Sequence, residues 1–330
     1  RAGGDDAVLR AVIEMFERRG LKVRGVGEVA PELLVSEGAM TDLGPSPEDG
    51  ADIAKGLALI AALGRHDIGQ AVVISQGRIE AIEGAEGTDR MVARVAQRRR
   101  EAVGDPIIRS RGVLVKRPKP GQDLRVDLPA IGPDTVQQVA DARLSGIAAM
   151  SGYVLAASRF ELISAAERAR VFVVGVTDAM TPPASKPTVS KTDGESLVFG
   201  RIDPAASVAP DMQRGVRIMS TLASSGTGSA LVIRKGRVLS IGANETPVEV
   251  IQRAGGFIKA SRKRAGIAVI GHREPLDETI IEAAAAAGLE GVIVMYGRED
   301  RPQHRGTIVA QADAAKLFIA GAQVSEDPVT

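Results

Sequence analysis

A segment in the first half of this chain recurs in the second half, and this repetition limits the folds available to it. Residues 67–78 read DIGQAVVISQGR and residues 226–237 read GTGSALVIRKGR, at an offset of 159 positions. Asp52 and Asp211 are separated by the same offset. Strand, turn and helix residues that recur at one offset indicate two copies of a single structural unit.

Within the first copy, the signals for helices and strands alternate. The clearest helix has Ser46 as its cap and Pro47 in its first turn, and Gly64 ends it. A hairpin with its turn at Gln76-Gly77 follows. Further helices are predicted over 135–144 and 159–168, and strands over 112–116, 153–156 and 171–176. This order predicts an α/β fold class, with two tandem related α/β units whose mixed sheets are flanked by helices.

Two other helices are predicted from their first residues. Asp5 or Asp6 can cap a helix at the start of the chain, and Thr88 can cap the helix after the hairpin. One apolar stripe on the first of these helices is expected to face the core: Val8, Val12, Met15 and Phe16.

The composition changes between the two copies. Residues 177–196 combine three prolines with several Ser and Thr and few apolar side chains, which is typical of a linker. We therefore expect a first domain over 1–176, a linker over 177–196 and a degenerate second copy over 197–330. The chain begins with Arg1 rather than Met, so we expect a fragment or a processed piece of a longer protein.

Composition excludes several classes of site. The chain has no Cys, so thiolate metal sites and cysteine nucleophiles are excluded, and a reducing cytoplasmic location fits. Aromatic residues make up 2% and the net charge is +1, so we expect no nucleic-acid partner. No apolar run of about 18 residues is present to span a bilayer.

The two copies differ mainly in their polar loops. The first copy has Glu86-Gly87-Thr88-Asp89 where the second has Glu245-Thr246-Pro247-Val248. The second copy is also about nine residues shorter over the stretch that corresponds to 122–129. Because loops carry function while the scaffold carries packing, we place the candidate site of the first copy in segments 86–89 and 116–129.

These two segments supply carboxylates, cations, a glutamine and a helix N-terminus, which suit a diphosphate. Carboxylates select a hard divalent cation such as Mg²⁺ or Mn²⁺, while Lys and Arg bind phosphoryl oxygens. A structural alternative stays open, since residues 86–89 can serve as a helix cap and the Pro-rich segment as a solvated linker. Asp127 stands between Val126 and Leu128, so we expect it to be partly buried with a partner.

Four motifs resemble a known family. GDDAVLRAV at 4–12, DIGQAVVI at 67–74, EGTD at 86–89 and KRPKPGQDLRVDLPAIGPDTV at 116–136 are similar to the C-terminal domain of the UDP-2,3-diacylglucosamine pyrophosphatase family of lipid A biosynthesis. The resemblance covers about residues 1–176. It implies Mg²⁺-dependent hydrolysis of UDP-2,3-diacylglucosamine to 2,3-diacylglucosamine 1-phosphate and UMP, with Asp127 as the essential aspartate.

The resemblance and the loop chemistry together give a set of predicted site residues. Asp127 is the predicted catalytic residue and holds the metal or orients water. Glu86 and Asp89 are the further predicted metal ligands. The predicted substrate-binding residues are Thr88, Lys116, Lys119, Gln122, Arg125 and Gln70.

The resemblance also sets expectations for partners and for rival functions. The family has a glycine-rich N-terminal domain ahead of this one, and 25–29 reads GVGEV where the family usually has a His. The lipidated UDP-sugar places the chain in the cytoplasm, with peripheral contact at the inner face of the cytoplasmic membrane; a homodimer is compatible with it. The alternative is a non-catalytic nucleotide-sugar-binding or regulatory module, or a pseudoenzyme whose second copy serves dimerisation.

Overall fold

The computed structural model describes residues 5–102, 111–120, 122–180, 197–258, 264–297 and 306–323. The chain forms two compact units, Arg1–Ala184 and Ser185–Thr330, called the first and second unit below. The elements of the first unit are α1 (Asp5–Glu17), α2 (Val26–Val29), β1 (Gly38–Ala39), α3 (Pro47–Gly64), β2 (Ala71–Ser75), β3 (Arg78–Ile82), α4 (Gly87–Glu101), β4 (Val113–Lys116), β5 (Ala130–Ile131), α5 (Pro133–Asp141), β6 (Gly146–Met150), β7 (Leu155–Ala156), α6 (Arg159–Ala169) and β8 (Phe172–Val176).

The sheet of the first unit is mixed. Its six strands lie in the order β1-β8-β6-β4-β2-β3. Strands β4, β6 and β8 run parallel, whereas β1, β2 and β3 pair antiparallel with their neighbours. The loops that follow β4 and β6 therefore leave the sheet at the same edge, where α/β proteins place their ligands.

Helices cover both faces of this sheet. Helix α3 packs on β2 and β4 so closely that a Cβ atom on Gly56 would lie 2.7 Å from Val115 Cγ2. The next residue, Lys116, contacts Thr88 of α4. Because neighbouring side chains of a strand point to opposite faces, α3 and α4 lie on opposite sides of β4. The predicted fold class, α/β with mixed sheets flanked by helices, is confirmed.

Helix α3 begins with the cap that its sequence predicts, Ser46. The Ser46 hydroxyl accepts a hydrogen bond from the Asp49 amide at 3.1 Å, and the Asp49 carboxylate accepts one from the Ser46 amide at 3.0 Å. Its apolar residues Ile53, Leu57 and Ile60 are at most 1% exposed. This helix, α3, therefore anchors the core of the first unit.

The predicted hairpin turn is also confirmed. Gln76 and Gly77 both have positive φ angles, 53° and 75°, as a two-residue hairpin turn requires. The Asp52 carboxylate accepts hydrogen bonds from both of their amides, at 2.8 and 2.6 Å. Asp52 therefore has a structural role in holding this turn against α3.

The structure corrects the sequence prediction at one missed strand, one shortened strand and one helix face. The central strand β6 (Gly146–Met150) was not predicted, and of the predicted strand 153–156 only Leu155–Ala156 forms. On α1, Ile13 is buried while Val12, Met15 and Phe16 are 40–42% exposed; the side chain of Val8 lies outside the described residues. The predicted linker falls largely outside them as well.

The second unit contains a second mixed sheet. Its elements are β9 (Leu197–Phe199), α7 (Ala209–Ser224), β10 (Ala230–Arg234), β11 (Arg237–Ile241), α8 (Pro247–Gly255), β12 (Ile267–Ile270), α9 (Glu278–Ala286), β13 (Gly291–Tyr296), α10 (Gly306–Ala314) and β14 (Phe318–Gln323). The strand order β9-β14-β13-β12-β10-β11 has the same sequence of antiparallel and parallel pairings as the first sheet.

Local contacts recur with this topology. The Asp211 carboxylate accepts a hydrogen bond from the Gly236 amide at 2.6 Å, as Asp52 does from its own turn. A Cβ atom on Gly215 would lie 2.7 Å from Val269 Cγ2, which repeats the close approach of helix and strand in the first unit. These contacts are consistent with two related units, and the repeat itself stays a prediction.

Candidate active site

A cavity lies at the carboxyl edge of the parallel strands of the first unit. Its volume is about 560 Å³. It is lined by the loop after β4, by the loop after β6 and by the segment that carries α2. Among its lining residues are Gly25, Glu28, Leu34, Gln122, Arg125 and Tyr153. The predicted loop 116–129 therefore borders a cavity of the size that holds small-molecule ligands.

Asp127, the predicted catalytic residue, is half-buried in the loop after β4. Its Oδ2 accepts a hydrogen bond of 2.5 Å from Gln122 Nε2, and Gln122 in turn lines the cavity. The Gln122 Oε1 accepts a hydrogen bond of 3.0 Å from the Lys119 amide. The predicted partial burial of Asp127 is confirmed, and its partner is Gln122.

A second polar network lies below this loop, around a buried lysine. Lys116 is 8% exposed, and its Nζ donates hydrogen bonds to Thr88 Oγ1 at 3.0 Å and to the Ala130 carbonyl at 2.9 Å. Thr88 Oγ1 donates to Glu83 Oε1 at 2.9 Å. The other oxygen of Glu83 accepts a bond of 2.7 Å from the Gln70 amide. The network therefore ties the end of the loop to the N-terminus of α4 and to β3.

Burial lowers the pKa of the Lys116 amino group, because removal from water disfavours its charged form. The negative charges of the Glu83 and Asp89 carboxylates raise this pKa, but by less than burial lowers it. Two of the three hydrogens of a lysine ammonium are used within the protein here. The structure thus brings Thr88, Lys116 and the Gln70 main chain together as a connected network beneath the loop.

Thr88 does not cap α4, contrary to prediction. The helix begins at Gly87, and its N-cap residue Glu86 makes no capping hydrogen bond through its side chain. The Thr88 hydroxyl instead donates to Glu83.

Glu86 forms a buried ion pair. Its Oε1 lies 2.7 Å from Arg94 Nη1, and its side chain is only 2% exposed. In the second unit Glu245 and Arg253 form the corresponding ion pair at the same offset. Because the second unit has this ion pair without the polar loop, the pair is part of the shared scaffold. The predicted metal role of Glu86 stays a prediction.

The predicted phosphate-binding cations Arg125 and Lys119 have carboxylate partners. Arg125 donates to both oxygens of Asp123, at 2.9 and 2.7 Å, and to Glu17 at 2.8 Å. Its bonds to Asp123 are the main cause that raises the pKa of its guanidinium. Lys119 Nζ lies 2.6 Å from Asp67 Oδ1.

The three predicted metal ligands are not assembled into one site. Asp127 is bonded to Gln122, Glu86 is paired with Arg94, and Asp89 is exposed on the first turn of α4. Within the described ranges, no three His, Asp or Glu side chains are grouped so that they could hold a metal ion. These residues alone therefore do not fit a metal site built from three protein ligands.

The sequence interpretation missed Glu83, although the repeat contained the signal. The second unit has lost the whole network around Lys116, as the corresponding positions show: Glu83, Thr88 and Lys116 become Gly242, Pro247 and Ile270. The backbone is retained, since the amide of Glu83 donates to Ala71 O and that of Gly242 to Ala230 O. A position-by-position comparison of the copies would have identified Glu83.

No described helix has the length and apolarity needed to cross a lipid bilayer.

Comparison with known proteins finds relatives of the first unit. Residues 36–174 match the model of the LpxI C-terminal domain family. Over 179 residues, or 54% of this chain, the sequence is 42% identical to the UDP-2,3-diacylglucosamine pyrophosphatase LpxI of Caulobacter vibrioides. The alignment covers 64% of that relative, so the chain spans less than two thirds of its length. The segment 36–174, with the Asp127 loop and the Lys116 network inside it, therefore belongs to the LpxI C-terminal domain family.

Proposed function

We propose that the chain hydrolyses the diphosphate of UDP-2,3-diacylglucosamine to 2,3-diacylglucosamine 1-phosphate and UMP in lipid A biosynthesis. The observation that carries the proposal is the hydrogen bond to the Asp127 carboxylate from Gln122, a residue that lines the cavity, on a stretch of loop that the second copy lacks. The name of the Caulobacter vibrioides relative supports the same substrate.

In this proposal Asp127 acts on the attacking water. A carboxylate can accept a proton as the water oxygen bonds to phosphorus, and the bond between that phosphorus and the bridging oxygen breaks. Water is thereby added across the diphosphate, so that UMP and the sugar 1-phosphate each carry one phosphate. Asp127 suits this role because only one of its two oxygens has the Gln122 bond.

Lys119 and Arg125 are the proposed phosphate-binding cations. Both lie on the loop of Asp127. Asp67, the partner of Lys119, and Glu17, one of the two partners of Arg125, have side chains that are 56% and 43% exposed, whereas the second partner of Arg125, Asp123, is 20% exposed. Exposed ion pairs are worth little, so a diphosphate can compete with Asp67 and Glu17 for the two cations, while Asp123 keeps the Arg125 guanidinium in place. Thr88, Lys116 and the Gln70 main chain support the loop from beneath. Their hydrogen bonds to Ala130 and Glu83 hold the loop against the sheet.

We propose Mg²⁺ or Mn²⁺ as the cation that neutralises the diphosphate. Mg²⁺ is usually held by one or two carboxylates together with substrate phosphates, rather than by a cage of protein ligands. An ion that enters with the diphosphate needs only a carboxylate such as Asp127 from the protein. This agrees with the absence of a three-ligand group among the residues that the structure describes.

Peripheral membrane contact is proposed because the substrate carries acyl chains. Four exposed apolar residues lie on or next to segments that line the cavity: Val29, Leu33, Val126 and Tyr153, with exposures of 38–68%. Co-sedimentation of the full chain with phospholipid vesicles tests this contact at the inner face of the cytoplasmic membrane. Analytical ultracentrifugation of the same chain tests the proposed homodimer.

The central test is release of UMP from UDP-2,3-diacylglucosamine by the full chain, with Mg²⁺ and after its removal by a chelator. We expect UMP release that depends on the cation. Tight binding of the UDP-sugar in calorimetry, without product in the assay, would instead establish the non-catalytic binding module. Neither binding nor turnover would contradict both functions.

A further inference from the structure

We propose that Gln122 is a positioning residue that orients the Asp127 carboxylate, rather than a substrate-binding residue. The inference rests on the proposed function of Asp127, which it deepens. Three observations support it: the two hydrogen bonds of the Gln122 side-chain amide, the burial of Gln122, and the conformation of the loop that carries Gln122 and Asp127.

The orientation of the Gln122 amide is fixed by the main chain. Lys119 N can only donate, so the atom that faces it at 3.0 Å must be the amide oxygen, Oε1. The amide nitrogen then points the other way, towards Asp127 Oδ2 at 2.5 Å. The donor therefore faces the carboxylate for a structural reason that does not depend on substrate.

The loop holds the two side chains at a fixed separation. The Gln122 amide donates to the Lys119 carbonyl at 3.2 Å, which closes a turn, and the Asp127 amide donates to the Asp123 carbonyl at 3.2 Å, which closes the next one. Pro118 and Pro120 restrict the backbone around Lys119. The carboxylate is thus presented in one orientation before substrate arrives.

Burial limits what else Gln122 can do. The residue is 9% exposed, and both ends of its side-chain amide are bonded within the loop. The nine or so residues missing from the second copy fall on the stretch that holds both Gln122 and Asp127. Gln122 and Asp127 are therefore both present in the first copy and both missing from the second.

The first test separates positioning from substrate binding by steady-state kinetics on the full chain. Gln122→Met keeps the side-chain length and removes both hydrogen bonds. Gln122→Glu keeps an acceptor for the Lys119 amide and, at about pH 8, replaces the donor with a second carboxylate that repels Asp127. We expect kcat to fall at least about tenfold in both variants, with KM for UDP-2,3-diacylglucosamine changed less than about twofold.

A matched control is available on the surface. The Gln137 Nε2 also donates to an aspartate, Asp141, at 2.9 Å, but this pair lies exposed on α5. Gln137→Met should leave kcat and KM unchanged.

A double-mutant cycle gives the second test. If Gln122 acts through Asp127, Gln122→Met adds no further loss in an Asp127→Asn background. A raised KM with unchanged kcat, or a full additional loss in the Asp127→Asn background, overturns the inference because it shows an independent contact with substrate.

A third measurement does not need activity. The side-chain amide of Gln122 gives a ¹H–¹⁵N NMR resonance that is identified by its disappearance in Gln122→Met. We expect Asp127→Ala to shift this resonance, and Gln137→Met to leave it in place. If the Gln122 resonance shifts but the wild-type chain hydrolyses no substrate, the contact with Asp127 stands and the proposed function is rejected. If the resonance does not shift, the positioning role is rejected.

Discussion

At the scale of single residues, the buried amino group of Lys116 has the clearest consequence for stability. Burial lowers its pKa in the folded protein below the ordinary value of 10.5 that it regains on unfolding. Between the two values the unfolded chain binds more protons, so the free energy of unfolding rises as the pH increases through that window. Below the window, the folded state carries a charged amino group that is mostly removed from water.

We predict that Lys116→Met abolishes this contribution to the pH dependence. Methionine has a similar length and no charge, and the second unit already has an apolar residue, Ile270, at this position. Urea unfolding at about pH 7 and about pH 10 should show the wild-type chain gaining stability relative to the variant at the higher pH. A constant difference between the two proteins would contradict the burial of this charge.

A second residue-scale prediction concerns the ion pair of Glu86 and Arg94. Glu86→Ala leaves a mostly buried guanidinium without this partner and should lower the free energy of unfolding by about 3 kcal/mol. Glu245→Ala, its matched variant in the second unit, should have a similar cost because Glu245 is equally buried.

Chemical denaturation of both variants checks this prediction. The Mg²⁺ concentration that gives half-maximal UMP release separates the structural role of Glu86 from the predicted metal role. An unchanged value supports a purely structural ion pair, whereas a large increase with little loss of stability would favour metal binding.

Some of these residue roles could be read from the sequence and others could not. The apolar neighbours Val126 and Leu128 correctly predicted that Asp127 is partly buried. The partners of Arg125 and Lys119 come from segments distant in sequence, Glu17 and Asp67, so no local pattern could reveal them. Gln122 was predicted as a site residue, but its orientation depends on a main-chain bond that only the loop conformation provides.

At the scale of secondary-structure elements, local chemistry predicted some elements and tertiary packing decided others. Helix α3 has a complete capping box and Pro at its first position, so its bounds followed from sequence. Strand β6 reads GIAAM, and Gly and Ala are poor strand formers. This strand forms because it is enclosed between β4 and β8 in a parallel sheet, which a local pattern does not show.

Two glycines of α3 give a matched test of the packing between this helix and the sheet. A Cβ atom at position 56 would lie 2.7 Å from Val115 Cγ2, whereas at position 50 nothing lies within 4 Å. Gly56→Ala should therefore destabilise the first unit by about 1–2 kcal/mol, because overpacking outweighs the gain in helix propensity.

Gly50→Ala should stabilise the chain by about 0.5 kcal/mol, since only the helix propensity changes. Denaturant unfolding curves of the two variants give the comparison. Equal effects from both substitutions would show that α3 does not approach β4 as closely as the structure indicates.

At the scale of the whole molecule, the features that the two units share differ in kind from the polar residues proposed for the chemistry. Both units share strand order, the aspartate that holds the hairpin turn, the close contact of a helix glycine with a strand valine, and the Glu–Arg ion pair. Among the residues that the structure describes, the Gln122–Asp127 pair and the Lys116 network occur in the first unit and have no counterpart in the second. The sequence predicted this division from the offset between the copies, because shared residues serve packing and unshared loops were free to differ.

The most direct test compares one carboxylate from each unit in the full chain. Asp127 follows β4, and Glu274 follows the corresponding strand β12. Measured as UMP release from UDP-2,3-diacylglucosamine, Asp127→Asn should lower kcat by roughly 100-fold or more, and Glu274→Gln should leave it within about twofold of wild type. Wild-type turnover by Asp127→Asn, or an equal loss in Glu274→Gln, would contradict the assignment of the chemistry to the first unit.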